Sequence, residues 1–137
     1  MNFFKSLKFA LLLLAGIFVA YALSNIYEWH FHYWWVDIIL HFVGGFWVFV
    51  MARYVMEHYK IEITGPNNEF VRFIVFVSFV SFLGVLCEFY EFIFDRYITL
   101  TGFTYLARVF EDTLLDLAMD IIGGISAFLL YFKNGKA

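Results

Sequence analysis

Polar residues are sparse along this chain, and they separate four long apolar stretches. The stretches cover residues 9–26, 34–56, 70–94 and 114–132. Each is close to the ~20 mainly apolar residues that a helix needs to cross the hydrocarbon core of a bilayer. The stretches are too long and continuous for strands, and they lack the alternation of a β-barrel. We therefore predict an all-α membrane protein, a bundle of four transmembrane helices in a single domain over residues 1–137.

The amino-acid composition argues against a small soluble domain. Of the 137 residues, 64% are hydrophobic, 24% are aromatic and only 15% are charged. A soluble domain of this length has too much surface for its volume to hide so many apolar side chains. Membrane lipid is therefore the expected partner, and no nucleic acid is expected. The single cysteine also excludes a disulfide within the chain.

The lysines and arginines indicate how the helices are oriented. If both termini are cytoplasmic, most of the nine basic residues share that side, namely Lys5, Lys8, Arg53, Lys60, Arg72, Lys133 and Lys136. Arg96 and Arg108 lie on the other side, together with most of the acids. An excess of basic residues in short loops marks the cytoplasmic side. The sequence therefore predicts that both termini are cytoplasmic.

Three groups of ionisable residues lie within the apolar stretches. They are Asp37 with His41 on the second stretch, Glu88 with Glu91 on the third, and Asp112, Asp116 and Asp120 on the fourth. Spacings of three and four residues place each group on one face of its helix. At ~1.5 Å per residue the groups reach similar depths, down to about 10 Å from the extracytoplasmic boundary, so we expect one shared layer. Asp95 is expected near the surface, paired with Arg96 or facing water.

Such acids need compensation, because an unpaired carboxylate deep in a membrane costs about 2.5 kcal/mol or more. The carboxyl groups can share protons in hydrogen bonds between helices, or they can surround a cation. Oxygen-rich sites with one imidazole suit Mg²⁺, Mn²⁺, Fe²⁺ or Zn²⁺, and all-oxygen subsets suit Ca²⁺. All seven residues are therefore candidate ligands of a divalent metal ion. For Asp37 and Asp112, an acid in the first turn facing the helix dipole is the alternative.

Paired glycines follow two of these groups. Gly44 and Gly45 come after His41, and Gly123 and Gly124 come after Asp120. Small residues let helix backbones approach closely in lipid. We therefore expect the second and fourth spans to be in contact at this level.

The motifs also carry a family resemblance. They are Asp37-x-x-x-His41-Phe42-x-Gly44-Gly45, Glu88-x-x-Glu91 and Asp112-Thr113-x-x-Asp116-Leu117-x-x-Asp120-x-x-Gly123-Gly124. In order and spacing they resemble the YjdF family of small bacterial and archaeal membrane proteins, whose function is unassigned, and more distantly VanZ-like membrane proteins. The resemblance covers residues 37–124, and the chain departs from it by being short and by carrying Asp120 where a neutral residue is expected. It implies a prokaryotic cytoplasmic membrane and a shared polar site, without a reaction.

Three functions remain open at this point. The first is a metal-dependent enzyme acting on a lipid or lipid-linked substrate, with a spare carboxylate as general base. The second is a cation- or proton-coupled transporter, for which four helices would have to oligomerise. The third is a non-catalytic accessory subunit whose acids bind a basic residue of a partner helix. The sequence shows neither a nucleophile constellation nor an arginine pair for phosphate, which weakens the first.

Overall fold

A computed structural model describes residues 6–63, 68–100 and 109–135 of the chain. Its helices are α1 (Leu7–Ile26), the short α2 (Trp29–His32), α3 (Trp35–His58), α4 (Glu69–Phe94) and α5 (Val109–Gly135). A π-helical turn over Asp95–Thr99 continues α4. No strand occurs in these three ranges, so the all-α prediction is confirmed.

Four of the described helices are long and apolar enough to cross a membrane. They are Leu7–Ile26, Trp35–His58, Glu69–Thr99 and Val109–Phe132. The predicted bundle of four helices of transmembrane length is thereby confirmed, and α5 begins at Val109 rather than at residue 114. Glu111 and Asp112 belong to its first turn, where acidic side chains interact favourably with the helix dipole. The cytoplasmic placement of the termini stays a prediction, and Lys5, Arg108 and Lys136 lie outside the described residues.

Side chains and backbone groups define the ends of these helices. Ser6 caps α1 by accepting a hydrogen bond from the Phe9 N–H at 3.2 Å. The C-terminal end of α3 is closed by the Ile61 N–H, which donates to the Met56 carbonyl at 2.9 Å. Lys60, within that turn, has a φ of 53°. This left-handed conformation usually belongs to glycine or asparagine, because other side chains crowd the backbone there.

α3 and α5 run parallel and form the most extensive contact in the bundle. The contact depends on glycine: a Cβ at Gly45 would overlap the backbone carbonyl of Asp120, and one at Gly123 would overlap that of Phe42. α4 is antiparallel to both helices and packs mainly on α5. The predicted approach of the second and fourth spans is confirmed.

The apolar core occupies the half of the bundle away from the acids. It consists of Phe49, Phe76, Val80, Ala127 and Phe128. The rings of Phe49 and Phe76 lie 4.8 Å apart between centroids, in a tilted arrangement. α1 packs on α3 at the side, where Trp47 donates its indole N–H to the Ala10 carbonyl at 2.9 Å. The core therefore joins α3, α4 and α5, and α1 is the peripheral helix.

Candidate functional site

His41 lies at the centre of the polar cluster, with only 6% of its surface exposed. Its Nδ1–H donates to Oδ2 of Asp120 at 3.2 Å, across the contact between α3 and α5. Its Nε2 faces the other acids: Asp37 Oδ1 at 4.0 Å, Glu88 Oε1 at 3.9 Å and Glu91 Oε1 at 3.6 Å. One nitrogen is thus fixed by a hydrogen bond, and the other faces three carboxylates.

Asp120 is held where three helices meet. A Cβ built at Gly84 of α4 would lie 2.6 Å from Oδ2 of Asp120, and the backbone of Asp120 leaves no room for one at Gly45 of α3. Gly84 therefore provides the space for the carboxylate, and Gly45 provides the space for the backbone of the same residue. Gly84 thereby allows α4 to approach α5 closely at this level.

Two acids of the cluster each have a buried carboxylate oxygen without a hydrogen-bond partner among the described residues. Asp116 is 2% exposed, and its Oδ1 has no hydrogen-bond partner among the described residues. Glu88 Oε1 is in the same situation, whereas Glu88 Oε2 accepts from the Thr113 hydroxyl at 2.8 Å. A buried polar group left without a partner costs about 1–3 kcal/mol, and more when it is charged. The described side chains therefore leave these two oxygens available to a ligand.

Six of the seven predicted residues form three overlapping groups that could hold a metal ion. The groups are Asp37, His41 and Glu91; His41, Glu88 and Asp116; and Asp37, Asp112 and Asp116. In each group the ligand atoms lie within 4.8 Å of one another. Asp120 stands apart from them, because it contacts the other nitrogen of His41. The structure thus brings the three acidic groups of the sequence into one cluster, and metal ligation stays a prediction.

A cavity of about 490 Å³ adjoins the cluster. Acids from all three helices line it, and apolar side chains such as Phe89 and Leu117 form much of the remaining wall. The prediction for Asp95 needs correction: it is 9% exposed and lines this cavity, because the π-helical turn keeps it within the bundle. Sequence reasoning also missed Thr113, although it lies three residues before Asp116 within the quoted motif.

The first span contributes polar groups that the sequence analysis did not assign to the site. Tyr21, Ser24 and Asn25 of α1 line the cavity, and Ser24 is buried. They are polar positions at the end of an apolar stretch, on the same side of the membrane as the acids. Their polarity at the end of an apolar stretch is the feature of the sequence that indicates a place near the site. The peripheral helix therefore closes one side of the site.

Family comparison extends the resemblance that the motifs suggested. A family model described as "Predicted membrane protein (DUF2238)" matches residues 2–136, nearly the whole chain. The chain belongs to the DUF2238 family. The YjdF-like resemblance is confirmed, and it now includes the first span. The likeness to VanZ-like proteins stays a prediction. Comparison with curated proteins and with solved structures gave no significant match.

Membership of DUF2238 identifies a membrane protein and brings with it neither a reaction nor a ligand. The chemistry of this member therefore depends on the cluster itself. Its main features are a buried imidazole between carboxylates, two carboxylate oxygens without a hydrogen-bond partner in the described ranges, and an adjoining cavity.

Proposed function

We propose that this DUF2238 protein is a metal-dependent enzyme that acts on a lipid or lipid-linked substrate. The divalent cation would be bound by His41 and the surrounding acids. The observation that carries the proposal is the two-sided environment of His41. Asp120 engages Nδ1, so that Nε2 is directed towards Asp37, Glu88 and Glu91. Metal-binding histidines commonly have this arrangement, with a carboxylate on the nitrogen that does not bind the metal.

The distances around Nε2 fit a cation better than they fit hydrogen bonds. The three carboxylate oxygens lie 3.6 to 4.0 Å from Nε2, beyond the usual hydrogen-bond range. Two ligands that each lie about 2.1 Å from one metal, at a tetrahedral angle, are separated by about 3.4 Å. A small inward movement of the side chains within one group, such as Asp37, His41 and Glu91, would therefore place a cation within bonding distance of all three.

Asp116 supports the same proposal independently. Its carboxylate is buried, belongs to two of the three groups, and has an oxygen without a hydrogen-bond partner in the described ranges. A cation supplies the missing interaction and offsets the repulsion between neighbouring carboxylates. Asp37 and Asp116 each belong to two groups, so either carboxylate could bridge two ions.

The cavity suggests the class of substrate. It combines a carboxylate-lined wall with apolar side chains, and it lies at one end of helices that can span a membrane. A lipid headgroup or a lipid-linked group likewise combines a polar part with adjoining apolar chains. A bound divalent cation polarises a phosphoryl or acyl oxygen or activates water. With the ion in the group of His41, Glu88 and Asp116, Asp112 would lie outside the coordination sphere and would accept the proton from the attacking water.

Metal content tests the proposal directly. Protein purified in detergent, freed of metal with a chelator and incubated with Mg²⁺, Mn²⁺, Fe²⁺ or Zn²⁺, should retain at least one of these ions stoichiometrically. His41→Ala and Glu88→Gln should lose it, because each removes a ligand from the same group. Glu111→Gln is the matched control, since Glu111 is an exposed acid on α5 outside the three groups.

Two results would contradict this assignment. Absence of stoichiometric metal from the wild type would remove the mechanism, and equal loss in Glu111→Gln would mean that the ion is held by surface charge. Metal binding together with cation flux into proteoliposomes that depends on Glu88 and Asp116 would favour the transporter instead. The acids of the His41 cluster all lie at one end of the bundle, which favours a binding cavity over a continuous channel.

Asp120→Asn tests whether this residue positions His41 rather than binding the ion. The change keeps the shape of the side chain but removes the charge that orients the imidazole. Mutating such outer partners typically costs 10–100-fold in metal affinity. We expect a weakening in about that range with unchanged stoichiometry, measured by isothermal titration. A lower stoichiometry would instead make Asp120 a direct ligand.

A further inference from the structure

A second polar cavity lies at the opposite end of the bundle from His41. It has a volume of about 530 Å³ and lies between the C-terminal end of α3, the segment that follows it and the first turns of α4. Arg53, Lys60 and Arg72 line it, together with Glu57 and Glu62. The rest of its wall is apolar and includes Met56, Ile61 and Phe76.

The guanidinium of Arg53 is fixed in place at this cavity. Its Nη2–H donates to Glu57 Oε1 at 2.5 Å and to the Tyr131 hydroxyl at 2.6 Å, and Tyr131 also donates to Glu57. Its Cζ lies 4.6 Å from the centroid of the Tyr131 ring. Nε, however, is buried without a hydrogen-bond partner among the described residues. One donor of this positioned cation is therefore unused, which makes the guanidinium a suitable contact for an anion.

Lys60 adds an independent observation. It adopts φ 53° in the turn that ends α3, where glycine would avoid the crowding of a side chain. Backbone strain of this kind is a reason to look for a function of the residue. The side chain of Lys60, which this turn accommodates, lines the cavity together with that of Arg72.

We propose that this cavity binds the phosphate of an anionic membrane lipid. The cations supply charge-assisted hydrogen bonds to phosphate oxygens, and the apolar wall contacts the adjoining glycerol and acyl carbons. The cavity lies where membrane-spanning helices end, at the level of lipid headgroups, which favours a lipid over a soluble anion. The site shares no residue with the His41 cluster and does not depend on its function.

The test is titration of the full chain in detergent with phosphatidylglycerol and phosphatidylcholine, followed by native mass spectrometry. We expect phosphatidylglycerol to bind at least about tenfold more tightly, because it carries net negative charge. Lys60→Gly and Arg72→Gln should each weaken its binding by about tenfold, the effect of losing one charge-assisted hydrogen bond. Lys8→Gln is the matched control, an exposed lysine at the start of α1 that does not line the cavity.

Lys60→Gly separates binding from folding. Glycine relieves the left-handed backbone conformation, so the variant should unfold at the same or a higher temperature while lipid binding falls. Equal binding of the two lipids, or an equal loss in Lys8→Gln, would overturn the proposal. Displacement of phosphatidylglycerol by excess inorganic phosphate would also overturn it, in favour of a soluble anion.

Discussion

Replacing Gly45 by alanine is expected to cause a large loss of stability for the addition of a single methyl group. The new Cβ would overlap the Asp120 carbonyl, which is backbone and cannot rotate away. Gly123→Ala should act in the same way, because its Cβ would overlap the Phe42 carbonyl from the other side of the contact. Overpacking a tight contact costs about 1–3 kcal/mol, and we expect the upper end or beyond because two helix backbones must separate.

Thermal unfolding in detergent measures this effect, and Gly16→Ala provides the control. Nothing lies within 4 Å of a Cβ at Gly16, in the middle of α1. Alanine there should leave stability unchanged or raise it by up to about 1 kcal/mol, since it favours the helix more than glycine does. The double variant Gly45→Ala with Gly123→Ala should cost less than the sum of the single changes, because one separation relieves both overlaps. Similar unfolding temperatures for Gly45→Ala and Gly16→Ala would contradict the described contact between α3 and α5.

Asp116→Asn is expected to change stability and cation binding in opposite directions. Without metal, the variant should unfold at a higher temperature than the wild type. Asparagine carries no charge at any pH, and its amide can donate to the neighbouring carboxylates, where Oδ1 of Asp116 now has no partner in the described part of the chain. With metal, the order should reverse, because the variant loses a ligand from two of the three groups.

The size of the reversal can be bounded from mass action. A cation at a hundred times its dissociation constant stabilises the wild type by about 2.7 kcal/mol. Loss of a ligand should weaken binding by about a hundredfold or more, so most of this increment disappears at the same cation concentration. Unfolding measured with excess chelator and with excess cation gives both comparisons, with Glu111→Gln as the control. A lower unfolding temperature without metal would mean that Asp116 is satisfied in the folded protein and would remove one support for the cation site.

The four spans and the clustering of the acids could be predicted from the sequence because of a simple physical constraint. Apolar stretches of transmembrane length have few alternatives to a helix, and helical spacing places Glu88 and Glu91, or Asp112 and Asp116, on one face. Because all the acids fall near the same ends of their spans, antiparallel packing brings them to one level. The paired glycines then indicated that α3 and α5 approach each other, as the structure confirms.

The roles of individual atoms could not be obtained in this way. In the sequence, nothing distinguishes Asp120 from the other acids of the three groups. Only the packing shows that it lies against Nδ1 of His41 rather than Nε2. The burial of Asp95 depends on a π-helical turn, which follows from tertiary packing and has no clear local signal. Likewise, the contribution of Ser24 to the cavity depends on how α1 is placed against its neighbours. Such details arise from how helices pack, which a periodic pattern does not specify.

The pairing of α3 with α5 also has a consequence for motion. These two helices are joined through His41 and Asp120 near one end, through Arg53 and Tyr131 near the other, and by glycine contacts between. They should therefore move as one rigid unit. Glu88 and Glu91 belong instead to α4, so a tilt of that helix would withdraw two of the three carboxylates from Nε2 and leave the imidazole anchored. Exchange of the proposed cation is thus expected to be controlled by movement of α4.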